Sequence, residues 1–262
     1  MKRLIKIFIC SLLIGSFALF GCEEEPDQNS GSPLTYFEIF NIVNENVETV
    51  HSNYLVNAEI ETFIYDGDES SPSQILSISY TNKYDGKNLY IYEETITVGQ
   101  DNAGNTASTT LLIENTYYED KRYVSYVSNE TGETVAEETV VPSSGIPDNS
   151  LVDLSLPLTN SDFANARYSE EAGRKVLIIP ATIEICAIVT TTMLPSLNLG
   201  ISANANAYDG TLQYIYDDSY NFVGVILDTH IHLDDGSGLA YDFIFKLELE
   251  EYGGIIIENP EK

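Results

Sequence analysis

Two long runs near the end of the chain, Val223–Leu233 and Leu239–Glu250, alternate apolar and polar residues across Asp234-Asp235-Gly236-Ser237-Gly238. A period of two marks strands, and an Asp/Gly/Ser cluster between such runs marks a hairpin loop, so this stretch commits the chain to antiparallel sheet. Its register follows from parity. Val225, Leu227, Ile231 and Leu233 share a face with Leu239, Tyr241, Phe243, Phe245 and Leu247 only if opposed residue numbers sum to an even value. The five-residue loop then sets 232 opposite 240, 230 opposite 242 and 228 opposite 244.

Strand character also fills most of the chain before this hairpin. Val56–Asp66, Ile75–Tyr84, Leu89–Val98, Thr109–Tyr118, Arg122–Ser128 and a short run through Val141 are separated by turn signals at Asp66-Gly67-Asp68, Asp85-Gly86, Gln100–Asn105, Glu119-Asp120-Lys121 and Asn129–Gly132. Lys175–Ile179 and Gly210–Asp217 add two more. The tyrosines of the first half, from Tyr80 to Tyr126, suit half-buried sheet surface, where a ring packs and its hydroxyl stays wet.

The exception comes first in the chain. Thr35-Tyr36-Phe37-Glu38 has capping-box spacing, with Leu34 and Ile39 placed as a hydrophobic staple. Tyr36, Ile39, Phe40, Val43, Val47, Val50 and Tyr54 then recur at three- and four-residue steps. The pattern predicts a one-faced helix of about five turns. Pro142 to about Ser161 is a Pro/Ser/Asp/Asn-rich connection with scattered leucines that could serve as a flap. A short helix is expected over Asp162–Glu171. Thr182–Leu194 reads as strand by its Ile, Val and Thr content and as helix by Thr182, the following glutamate and Pro195. The fold class expected is α+β, in one domain over residues 34–262.

Candidate chemistry is sparse. His230 and His232 are two apart on a strand and point to one side, and the register puts Asp242 opposite His230. That trio is a candidate zinc or copper site, set against the plainer reading of a solvated sheet face that also carries Asp228, Lys246, Glu248 and Glu250. Asp101–Asn105 and Asp234–Gly238 lack the ligand spacing of a calcium loop, and His51 has no evident partner. Nucleophile elbow, phosphate loop and metalloprotease motif are all missing from the sequence, and no acid/base pair stands out among 41 acidic residues. The chain is therefore read as a non-enzyme without a cofactor.

Residues 1–21 have the form of a secretory leader: Lys2, Arg3 and Lys6, an apolar run from Ile7 to Phe20, and Gly21 directly before Cys22. Cysteine immediately after the cut is a lipobox feature, with Cys22 acylated as the membrane anchor. Phe20 stands where a small or aliphatic residue is usual, which keeps a plain signal peptide as the alternative. Residues 22–33, acidic and without apolar side chains beyond the cysteine, read as a disordered tether. Loss of Lys2, Arg3 and Lys6 with the leader takes the formal charge from −29 to −32. Such a chain has no basic face for nucleic acid, and the charge repels anionic headgroups, so membrane attachment falls to Cys22. Cys10 leaves with the leader, and Cys186, among Ile183, Ile185, Ile188 and Val189, is expected as a packed apolar side chain.

Lipobox, acidic tether, amphipathic helix, Tyr-rich strands, Pro/Ser-rich crossing and final long hairpin occur in an order similar to the LolA/LolB and LppX/LprG group of lipoprotein-associated carriers. The residues carrying the resemblance are Cys22, Thr35–Tyr54, Tyr117-Tyr118-Glu119-Asp120 before Tyr123, Val223–Glu250 and Ile255–Pro260. It implies a strongly curved antiparallel half-barrel packed around one long N-terminal helix and one or two shorter ones, and it favours helix at Thr182–Leu194. The function it implies is a monomeric, membrane-anchored extracytoplasmic protein that binds a lipid or other amphiphile. The alternative is a surface module that recognises an envelope polymer, a protein or cations without a ligand cavity. No ligand-contacting residue carries over from the resemblance.

Overall fold

The computed structural model describes residues 33–260 except 48–49, 51, 67–70, 101–105, 120, 129–133, 141–145, 147–149, 172, 194–204 and 234–238. The leader, Cys22, the tether, His51 and the two acidic loops considered as calcium sites lie outside the described residues.

In chain order the elements are α1 (Tyr36–Val47), β1 (Tyr54–Asp66), β2 (Gln74–Tyr84), β3 (Leu89–Gln100), β4 (Thr106–Tyr118), β5 (Lys121–Ser128) and β6 (Thr134–Val140). A 3-10 turn (Asn160–Phe163) follows, then β7 (Arg167–Glu171), β8 (Arg174–Ala181), α2 (Ile183–Met193), β9 (Ala205–Tyr216), β10 (Phe222–Leu233) and β11 (Leu239–Tyr252). All described strands join one antiparallel sheet in the order β6-β5-β4-β3-β2-β1-β11-β10-β9-β8-β7. β6 and β7 are its two edges. Each neighbouring pair is a sequential hairpin except β1 with β11, which join the two halves of the chain at the middle of the sheet. Among the described residues no helix is long and apolar enough to cross a membrane.

This architecture corrects the expected α+β half-barrel around a long helix. The described residues are mainly β, their sheet is open, and the two α-helices among them are short, 12 and 11 residues. α1 starts as the capping box predicts: the Thr35 N–H donates to Glu38 Oε2 at 2.7 Å and the Glu38 N–H to Thr35 Oγ1 at 3.2 Å. The bonds from Thr35, backbone first, hold the Glu38 carboxyl below its ordinary pKa. The helix ends at Val47, and Tyr54 opens β1 instead of closing a fifth turn. Tyr54 also begins the alternation Tyr54, Val56, Ala58, Ile60, all buried, and pairing with both β2 and β11 satisfies that backbone. Asp162–Glu171 likewise becomes a 3-10 turn and an edge strand. The helix favoured near Thr182 does form, with the Ile185 N–H donating to Thr182 Oγ1 at 3.3 Å.

One face of the sheet is covered by α1, α2 and the chain over 150–158. Val152, Leu154, Leu156 and Leu158 alternate inward while Asp153 and Pro157 face out, so this stretch is an extended strap and part of the core, not a flap. Three polar side chains, two buried and Asn44 half-buried, bolt it down. Tyr54 Oη accepts the Val152 N–H at 2.9 Å, Asn82 Nδ2 donates to the Ser150 carbonyl at 2.9 Å, and Asn44 Oδ1 accepts the Leu156 N–H at 3.0 Å. Phe40 and Val43 of α1, Leu154 and Leu156 of the strap, and Cys186 and Val189 of α2 then meet β8–β11 and β1 at 0–1% exposure. Burial drives the Cys186 thiol up to about 11, which keeps it an inert packed group as expected.

The last residues are fastened back onto the turns. Asn53 accepts the Ile255 N–H at 2.9 Å and donates to its carbonyl at 3.0 Å. In the β2–β3 turn Gly86 has φ +90, and a Cβ there would stand 2.9 Å from the Ser52 carbonyl oxygen, so glycine is required. Beside it, burial alone would raise the Asp85 carboxyl, but bonds from the Asn88 side chain and from the N–H groups of Asn88, Lys87 and Ile257 lower it overall.

Among the described residues three buried side-chain oxygens have no hydrogen-bond partner, Asn82 Oδ1, Thr229 Oγ1 and the hydroxyl of Tyr214, and Tyr214 is the largest of these side chains. Its ring packs 5.0 Å from Phe40 and 5.3 Å from Phe222, but its fully buried hydroxyl has no hydrogen-bond partner among the described residues. Burial raises this phenol far above its ordinary range. Tyr214→Phe is expected to stabilise the protein by about 1 kcal/mol, read as a higher urea midpoint at unchanged slope, because it removes a desolvated hydroxyl and keeps the ring.

Candidate functional site

The outer face of the sheet, opposite the core, carries the polar chemistry. On β10, Val225, Leu227, Thr229 and Ile231 point inward, which leaves Asp228, His230 and His232 outward. β11 pairs with β10 in the predicted register, His230 opposite Asp242 and His232 opposite Ala240. His230 Nδ1 lies 2.5 Å from Asp242 Oδ1, and the second oxygen, Oδ2, accepts the Tyr65 hydroxyl at 2.6 Å. His230 Nε2 is 3.0 Å from His232 Nε2, with the rings edge-on at 71° and centroids 4.6 Å apart. The cluster is half-sheltered, His230 at 27% and Asp242 at 40% side-chain exposure. Nearby, the Asp228 carboxyl is raised, by partial burial first and by the charge of Asp242 second.

His230, His232 and Asp242 therefore come together, but not as three ligands around one point. Asp242 engages Nδ1 of His230, whereas His232 approaches Nε2. Among the described residues no group of three His, Cys, Asp or Glu is arranged to hold a metal ion. Sequence reasoning missed Tyr65. The hairpin pattern involves β10 and β11 alone, whereas Tyr65 arrives from β1 through the pairing Tyr65↔Ala240 and reaches Asp242 across 177 residues.

A second polar surface lies on β2–β5, beyond the helices and strap. Alternation places Tyr90, Tyr92 and Glu94 on one face of β3, and the pairings Tyr90↔Thr116 and Thr116↔Tyr123 carry that face across to β5. All three tyrosines are half-exposed. The Tyr90 hydroxyl donates to Glu114 Oε1 at 2.9 Å and Tyr92 to Glu94 Oε2 at 3.3 Å. Lys83 Nζ lies 5.4 Å from the centre of the Tyr90 ring, and Lys121 Nζ 6.0 Å from that of Tyr123. Partial burial, followed by Glu114, pushes the Tyr90 phenol up to about 12, so it remains a neutral donor.

The chain matches no protein-family model and no curated protein. Among solved structures it is similar to Aeromonas veronii immune modulator A, at 8% identity over 79% of this chain and 99% of that one, with a TM-score of 0.28. It is also similar to a DUF1329 family protein from Desulfovibrio piger, at 12% identity over 83% and 93% of the two chains and a TM-score of 0.23. Scores this low establish neither a shared fold nor a shared function.

Proposed function

We propose that this chain is a lipid-anchored extracytoplasmic binding protein that recognises an uncharged envelope polysaccharide through the outer face of β2–β5. The observation that carries this reading is the set of half-exposed rings Tyr90, Tyr92 and Tyr123, accompanied by Glu94, Glu114, Lys83 and Lys121. Flat aromatic faces suit the C–H surfaces of pyranose rings, and the carboxylates, ammonium groups and phenols beside them exchange hydrogen bonds with sugar hydroxyls. Tyr90 and Tyr123 are two strands apart, about 9–10 Å, the span of a short oligosaccharide. The net charge of −29 disfavours an anionic polymer, and the leader-like segment ending at Cys22 supports the envelope location.

An amphiphile carried inside the protein is the less supported reading. Phe40, Val43, Leu154, Leu156 and Val189 belong to one buried apolar cluster on the sheet face that a carrier would have to open for an acyl chain. The polysaccharide reading is tested by co-sedimentation with insoluble, delipidated, uncharged glycan from the host envelope. Wild-type protein is expected to sediment with it, and Tyr92→Ala/Tyr123→Ala to lose at least ten-fold in affinity with its far-ultraviolet circular dichroism unchanged. A wild-type chain that stays in the supernatant, or a double variant that sediments like wild type, contradicts the proposal.

A further inference from the structure

We propose that His230 and His232 form a two-nitrogen binding site for a divalent transition-metal ion, of the copper, zinc or nickel kind, with Asp242 and Tyr65 as its positioning residues. An ionised carboxylate only accepts, so the Asp242 contact keeps the proton of His230 on Nδ1 and turns the Nε2 lone pair toward His232. The Tyr65 hydroxyl holds the other carboxylate oxygen and thereby fixes the plane in which Asp242 grips the ring. A carboxylate behind one imidazole nitrogen with the other nitrogen presented outward is the arrangement that orients metal-binding histidines and raises their basicity.

The spacing fits as well. Two Nε2 atoms bound to one tetrahedral ion at about 2.0–2.1 Å stand about 3.3 Å apart. His230 Nε2 and His232 Nε2 are 3.0 Å apart, a separation at which they share one hydrogen atom. Opening by a few tenths of an ångström, with His232 moving its ring proton to Nδ1, would let an ion replace that hydrogen bond without a backbone change. Among the described residues there is no third ligand, since Asp242 is committed to Nδ1. Asp228 and Asp242 on the same face raise the local concentration of cations.

The test is titration of the detergent-solubilised full chain with Cu2+, Zn2+ and Ni2+ separately against a chromogenic chelator. A large excess of Mg2+ occupies the surface carboxylates, which are hard oxygen ligands. One equivalent of each ion is expected to bind, Cu2+ tightest. His230→Ala/His232→Ala should lose the tight equivalent, and Asp242→Asn should weaken it about 10-fold or more. With Cu2+, paramagnetic resonance should show coupling to two imidazole nitrogens, a signature that a purely structural effect of the substitutions would not produce. Failure of the wild type to bind a stoichiometric ion overturns the proposal. So does a double-histidine variant that binds with wild-type affinity, which would place the ion among the acids instead.

Discussion

Replacing Leu154 with alanine is expected to lower the unfolding free energy by about 2–5 kcal/mol, measured as a fall in the urea midpoint. Leu154 is wholly buried between the sheet and the helices, in a strap whose Val152, Leu156 and Leu158 are also inward. The strap cannot collapse freely into the space left by the missing methyl groups, because Tyr54, Asn82 and Asn44 hold its backbone at Val152, Ser150 and Leu156. A flap lying over the surface would respond by a few tenths of a kcal/mol at most. The size of this one effect therefore decides whether residues 150–158 are core.

The second large effect comes from the polar side of the same strap. Asn82 is fully buried and donates to the Ser150 carbonyl and to Tyr80 Oη, both at 2.9 Å. Asn82→Ala strands the Ser150 carbonyl away from water, and a stability loss of about 1–3 kcal/mol is expected on the same unfolding assay. Because Asn82 and Leu154 hold one segment, the double variant should lose less than the two single losses together, with a coupling of at least about 0.5 kcal/mol. Additive losses would mean that the two residues stabilise separate parts of the protein.

Local pattern made parts of this fold readable in the sequence. Parity and a five-residue loop suffice to place His230 against Asp242, because both facts belong to two adjacent strands. The capping box at Thr35 is also local, and it forms. The length of α1 was not readable, because Tyr54 satisfies a helical step from Val50 and a strand step to Val56 at once. Tertiary pairing of β1 with β2 and β11 resolves it toward strand. The strap was hidden for a compositional reason: Val152, Leu154, Leu156 and Leu158 keep a period of two, but the surrounding Pro, Ser and Asp make the stretch read as loop. Tyr65 was hidden by distance, since no local rule pairs the first strand of a sheet with the last.

The same distinction separates the filled-core account from a carrier, and native mass spectrometry of the detergent-released full chain isolated from its own host tests it most directly. A filled core gives a protein mass that, beyond any acyl group on Cys22, carries no stoichiometric lipid, and no uptake of added fluorescent fatty acid. A lipid that co-purifies one to one and dissociates only on unfolding would contradict it, and would mean that the apolar face beneath α1 and the strap opens to hold a ligand.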